Sequence, residues 1–278
     1  MKTFSKSGIL FLLFTGLFFL SSCDDGKLNI FSVDEDIQLG REVTAEILSN
    51  PTDYPILDEA QYPEAYQHLR RIRDQVLASG TQSGELRYGD RFDWDVYIIN
   101  QEVLNAFALP GGNTFYYSGL IKYLEDEASF AGVMAHEFAH SDRRHATNRM
   151  TKIYGYQVVL SMILGTNPSL AATIAADLAL GLRALAFSRE DEYEADEYAV
   201  KYIYPSELDA RGVAYFFEQM ELQEGADWMI YFSTHPHPSD RIEKIYQHHQ
   251  TLGGDEGEKH AERYQTFKNT LPQNIMER

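Results

Sequence analysis

The sequence predicts an α+β fold, mainly helical, with one small β-sheet beside a central helix, and three observations carry that prediction. Helical periodicity runs through most of the chain, β-rich runs are confined to the stretch 94–117, and an H-E-x-x-H pentapeptide sits inside one of the helical patterns. The 278 residues are 44% hydrophobic and 24% charged, which is enough apolar material for a real core and excludes disorder as the general state. Charge narrows the partners: 24 Lys+Arg against 42 Asp+Glu give a net −18, so the surface repels phosphate backbones and nucleic acid is not expected. A single cysteine excludes an intrachain disulfide and any multi-cysteine metal site, so a metal here would be held by histidines and carboxylates.

Taken in order, the chain opens on Lys2 and Lys6, an apolar run from Ile9 to Leu20, and Leu20-Ser21-Ser22-Cys23. The run is too short for a membrane span, which needs about 20 residues, and has the form of a secretory signal. Its ending resembles the lipobox of bacterial lipoproteins, which makes Cys23 the expected site of acylation and residues 23–31 a short tether. Ser32-Val33-Asp34-Glu35 reads as a capping box that opens a first helix ended by Pro51, and Pro63 starts a second that ends near Gly80. Trp94–Ile99 and Thr114–Tyr117 read as strands around the turn cluster Leu109-Pro110-Gly111-Gly112-Asn113. That cluster is either a wall of the site or merely a hairpin turn. A helix is expected from Glu125 to His145. The apolar stretch 157–187 reads as a helical hairpin packed on the domain or touching a membrane surface, because Gly165-Thr166-Asn167-Pro168 breaks it and Asp177 and Arg183 lie within its second arm. Further helices are expected from Ser188 to about Tyr204, Ser206 to about Leu222 and Pro238 to about Gln250, followed by a polar tail.

The chemistry concentrates in His136-Glu137-Phe138-Ala139-His140. On a helix, positions i and i+4 share one face, so both imidazoles can reach one zinc ion, and Glu137 beside them can take a proton from an attacking water. Two histidines paired by chance on a solvated face would look the same. Catalytic zinc usually keeps three protein ligands, so a further His, Asp or Glu is needed, and Ser188–Asp196 offers one 52 residues after His140. Glu192 and Asp196 lie one helical turn apart, which lets the first ligate metal and the second fix a ligand histidine's tautomer. Acids near a helix start are also common for the sake of the helix dipole alone. His145 falls half a turn off the ligand face and reads as structural, while His68, His248 and His249 read as surface.

These elements, together with Arg144-His145, Ser188-Arg189-x-x-Glu192-x-x-Ala195-Asp196 and His235-Pro236-x-x-x-x-Arg241, resemble the ordered signatures of metallopeptidase family forty-eight. That family includes the HtpX membrane proteases, the type I CAAX prenyl proteases and BepA. The resemblance implies a gluzincin-type fold and one zinc per chain, with Glu192 as third ligand, Asp196 behind a ligand histidine, His235 as a fourth ligand or latch, and Arg241 as an internal ion-pair partner fixing its loop. It implies a metalloendopeptidase acting on polypeptides, by default misfolded or unassembled envelope proteins. With the lipobox, it places a lipid-anchored enzyme in the bacterial envelope, facing the periplasm or exterior. The expected divisions are 1–22 signal peptide, 23–31 lipidated tether, 32–252 metallopeptidase domain and 253–278 polar C-terminal tail. A non-proteolytic, zinc-stabilised periplasmic chaperone or assembly factor is the alternative reading of the same residues.

Overall fold

The computed structural model describes residues 23–24, 27–163, 187–222, 231, 235 and 240–273. Residues 1–22, expected to be a signal peptide, and most of the apolar stretch 157–187 therefore lie outside the described residues. Within them the chain forms β1 (Cys23–Asp24), β2 (Lys27–Leu28), α1 (Val33–Ser49), α2 (Pro63–Ser83), β3 (Val96–Ile99), β4 (Ala106–Ala108), β5 (Thr114–Tyr117), α3 (Ser118–Tyr123), α4 (Glu127–Asp142), α5 (His145–Ile163), α6 (Arg189–Ile203), α7 (Gly212–Glu221), α8 (Arg241–Thr251) and α9 (Ala261–Asn269). Among the described residues no helix is long and apolar enough to cross a membrane.

Local sequence sets several of these boundaries. Ser32 caps α1 in a capping box with Glu35, and Ser188 does the same for α6 with Asp191. Pro63 occupies the first turn of α2, whose C-cap Gly84 adopts φ +75. The three-stranded sheet has the order β3-β5-β4, with β3 parallel and β4 antiparallel to β5. Trp94, expected inside a strand, instead takes φ +52 and precedes it. The edge strand β4 was not expected. The expected helix from Ser206 begins only at Gly212, because Leu208 forms a β-bridge with Glu258 and holds the chain extended.

The core has two parts. The larger joins α2, α4, α6 and α7 to one face of the sheet, through residues such as Ile98, Phe130, Phe138, Val200 and Phe216. The smaller packs α1 on the other face through Val43, Ile47, Phe107 and Phe115. Every residue of α4 is buried, the signature of a helix enclosed on all sides. Its first turn holds the buried Glu127 in bidentate pairs with Arg71 of α2 and Arg263 of α9. The polar tail expected after Gly253 thus contains α9, which buries Tyr264 and Phe267 and ties the C-terminal segment to the start of α4.

Two close backbone approaches fix the surroundings of α4. A Cβ on Gly132 would lie 2.2 Å from the backbone nitrogen of Val213, and one on Gly212 would lie 1.9 Å from the carbonyl oxygen of Ala128, so α4 and α7 cross almost backbone to backbone. On the opposite side of the sheet, a Cβ on Gly40 of α1 would lie 1.8 Å from the carbonyl oxygen of Pro110, which seats the 110–112 turn against that helix.

Candidate metal centre

The centre of α4 presents His136, Glu137 and His140, all fully or almost fully buried. The Nε2 atoms of His136 and His140 face each other at 3.0 Å. Their other ring nitrogens are engaged elsewhere: His136 Nδ1 is 2.9 Å from Asp196 Oδ1, and His140 Nδ1 is 2.8 Å from His145 Nδ1. Glu192 completes the group from α6, with carboxylate oxygens 3.5 Å from both His136 Nε2 and His140 Nε2. Donor atoms of His136, His140, Glu192 and His235 all lie within 4.8 Å of one another.

The second ring of contacts is equally specific. Arg241, buried at the start of α8, reaches Asp196 through two hydrogen bonds of 2.6 Å and Glu192 at 2.9 Å, and its guanidinium lies 4.2 Å from the Phe217 ring centroid. Arg241 thus joins Glu192 to Asp196 on α6. His235 places Nδ1 3.1 Å from Glu192 Oε1 and Nε2 3.5 Å from Glu137 Oε1, with its ring stacked on Tyr231. The Phe187 ring stacks on His140 at 3.9 Å and 15°.

Electrostatics follow from this packing. Burial opposes a charge on His136, but its hydrogen bonds to Asp196 and Glu192 outweigh that and push its pKa up to about 9. Burial and the neighbouring His136 hold His140 well below the ordinary imidazole value. Burial alone would raise Glu192, yet His235 and Arg241 hold it well below the usual carboxylate range. Asp196 is likewise held low, with Arg241 overcoming burial. Glu137 goes the other way: burial raises it, and both its oxygens are enclosed without a hydrogen-bond donor among the described residues.

A metal ion fits these residues. With both Nδ1 atoms turned to partners, the facing Nε2 lone pairs at 3.0 Å need a proton or a cation between them. The donors are two imidazoles and a carboxylate, each oriented from behind, as metal-ligating side chains generally are.

α4 ends at Asp142, whose carboxylate accepts from the amides of Arg87 and Tyr88 and from the hydroxyl of Tyr202 on α6. Arg144 then adopts φ +56, in the left-handed region that costs a non-glycine residue energy. Its guanidinium bonds to Asp36 of α1 and the carbonyl of Phe31, which holds the turn in place. His145 therefore opens a new helix rather than continuing the ligand helix, and the turn aims it back at His140. A continuous helix would have pointed it away, and no spacing in the sequence announces the break. Nor did spacing single out Phe187 and Tyr231, the aromatic rings that cover His140 and His235. His249, expected at the surface, is buried with Nε2 2.9 Å from the carbonyl oxygen of Asp255.

The sheet edge closes one side of the centre. Asn105 accepts from Tyr117 of β5 and Leu109 donates to Asn113 just before that strand, so ladder alternation turns the backbone polar groups of Ala106 and Ala108 away from β5. Ala108, Leu109, His140, Ser141 and Phe187 line one small cleft there, and Ser141 donates to the carbonyl of Leu109 at 2.8 Å.

A family model described as Peptidase family M48 matches residues 67–249, which contain every residue of this centre. The chain belongs to family M48. Its relatives in that family include the mitochondrial metalloendopeptidase OMA1 of Schizosaccharomyces pombe, 24% identical over 234 residues that make up 84% of this chain and 66% of the relative. The corresponding OMA1 of Arabidopsis thaliana is 31% identical over 155 residues, 55% of this chain and 31% of that protein. The beta-barrel assembly-enhancing protease of Yersinia pestis is 31% identical over 229 residues, 76% of this chain and 43% of its own length. The chain thus spans from about a third to just under two thirds of the length of these M48 relatives.

Proposed function

We propose that this chain is a zinc-dependent metalloendopeptidase in which His136, His140 and Glu192 hold the ion and Glu137 is the general base. The observation that carries the reading is a buried carboxylate, Glu137, with no hydrogen-bond donor among the described residues, set beside a triad of oriented donors. A buried carboxylate without a hydrogen bond is costly, and such cost concentrates where a reaction needs the group. Bound between these donors, zinc supplies a Lewis acid for the attacking water and the scissile carbonyl.

The chain's own residues supply the rest. Glu137 takes a proton from the attacking water and passes it to the leaving amine nitrogen, a role helped by the burial that raises its basicity. Asp196 accepts from His136 Nδ1 and fixes its tautomer, while Arg241 neutralises Asp196 and Glu192 so that two buried carboxylates can stay ionised side by side. Substrates are polypeptides of the cell envelope in a misfolded or unassembled state, and Cys23 is acylated, which keeps the enzyme on a membrane facing the periplasm or exterior.

Metal analysis of the purified full chain tests the centre. One zinc per chain is expected, lost on His136→Ala or His140→Ala. Unchanged zinc in both variants rules the assignment out.

A further inference from the structure

A second group of potential ligands, His145, Asp191 and Glu194, lies behind the first. We propose that His145 is a positioning residue for the metal ligand His140, and that this second group forms an orienting chain instead of a second metal site. The inference rests on the assignment of His140 as a ligand.

The tautomers follow from the geometry. His140 turns Nε2 towards His136 and Glu192, so as a ligand it must keep its proton on Nδ1. That Nδ1–H points at His145 Nδ1, 2.8 Å away, which must then accept. A neutral imidazole that accepts at Nδ1 carries its own proton on Nε2. His145 Nε2 lies 3.3 Å from Glu194 Oε2 and 3.9 Å from Asp191 Oδ1, so it donates to Glu194. Both ring nitrogens of His145 are thereby committed, and neither has a lone pair left for a cation. Asp191 is the more distant acid, and its Oδ2 accepts from Ser188 in the capping box of α6.

The chain has a mechanical purpose. His136 is fixed from α6 by Asp196, but α6 offers no carboxylate at His140 Nδ1, and the left-handed turn at Arg144 brings an imidazole there instead. His145, completely buried, then links His140 to the first two turns of α6, the helix that also carries Glu192. Both histidine ligands are thus referred to the same helix as the third ligand, and the three donors keep their relative positions.

The test is zinc affinity of the full chain, measured by competition with a chromophoric chelator, together with the visible spectrum of the cobalt(II)-loaded protein. His145→Ala should weaken zinc binding by about 10–100-fold, the range seen when such outer partners are removed, and alter the cobalt bands because the His140 ring can turn. His145→Asn, whose Oδ1 can stand in for Nδ1 as acceptor, should recover most of both losses, a rescue that a purely structural role would not require. Glu194→Ala, on the partly exposed side of α6, should weaken zinc in the same direction and serves as the readout should His145→Ala not fold. Wild-type affinity and spectrum in folded His145→Ala overturn the proposal, as does unchanged affinity in Glu194→Ala. Two zinc ions per wild-type chain, with one lost in His145→Ala, would make the group a second metal site. Absence of zinc from the wild-type chain would instead overturn the function proposed above.

Discussion

His235 stands between two carboxylates, Glu192 and Glu137, and within reach of the atoms that would hold metal. Held by a backbone hydrogen bond of 2.9 Å from its amide to Tyr231 and by ring stacking, it can occupy the open position that substrate and water need. Three ligands remain without it. His235→Ala is therefore expected to keep zinc and to raise hydrolysis of an unstructured polypeptide, measured with the purified chain. Loss of zinc would mean that His235 is a structural ligand, and loss of turnover with zinc retained would mean that it serves the transition state. At this scale the sequence was informative where chemistry demands a spacing: i and i+4 put His136 with His140, and Glu192 with Asp196, on one helix face each, whereas the meeting of the two faces was implied only by the family resemblance. It read His145 as structural but could not aim it at His140, because that aim depends on one left-handed residue, Arg144, held from α1 by Asp36.

Among the elements, α4 matters most, since everything in the centre is placed relative to it. Its crossing with α7 leaves no room for a side chain at Gly132, where an added Cβ would meet backbone atoms of Gly212 and Val213 that cannot swing aside. Gly132→Ala should cost about 1–3 kcal/mol through overpacking, which lowers the thermal midpoint by several degrees in a domain of this size. An unchanged midpoint would show that α7 can slide without cost. Capping boxes and prolines made the starts of α1, α2 and α6 legible in advance. β4 was not, because Ala106-Phe107-Ala108 is buried throughout and shows no alternation. α9 was hidden for the opposite reason: Tyr264 and Phe267 are its only buried positions in an otherwise polar segment, and only contact with α2 and α4 makes them core.

On the scale of the whole molecule, the N-terminal segment and the metal centre share a wall. Asn29 donates to Thr147 on α5 at 3.0 Å, and Arg144 binds the carbonyl of Phe31, so the chain is pinned beside the turn that aims His145. From Cys23 to Asn29 the backbone can reach at most about 20 Å even when fully extended. An acyl chain on Cys23 would therefore hold the centre close to the membrane surface, suited to polypeptides that linger there. Cys23→Ser is expected to block acylation and leave the precursor unprocessed, as read by the mass of the mature N-terminus; normal maturation would argue for an ordinary signal.

As proposed, Glu137 does chemistry beside a metal that other residues hold. Glu137→Gln removes the base, keeps its shape and touches no ligand, so hydrolysis of an unfolded polypeptide by the zinc-loaded variant is the most direct measurement. Full zinc occupancy is expected, with turnover reduced by at least about 100-fold, the scale of a lost general base. Wild-type turnover in a fully loaded Glu137→Gln chain would contradict this role.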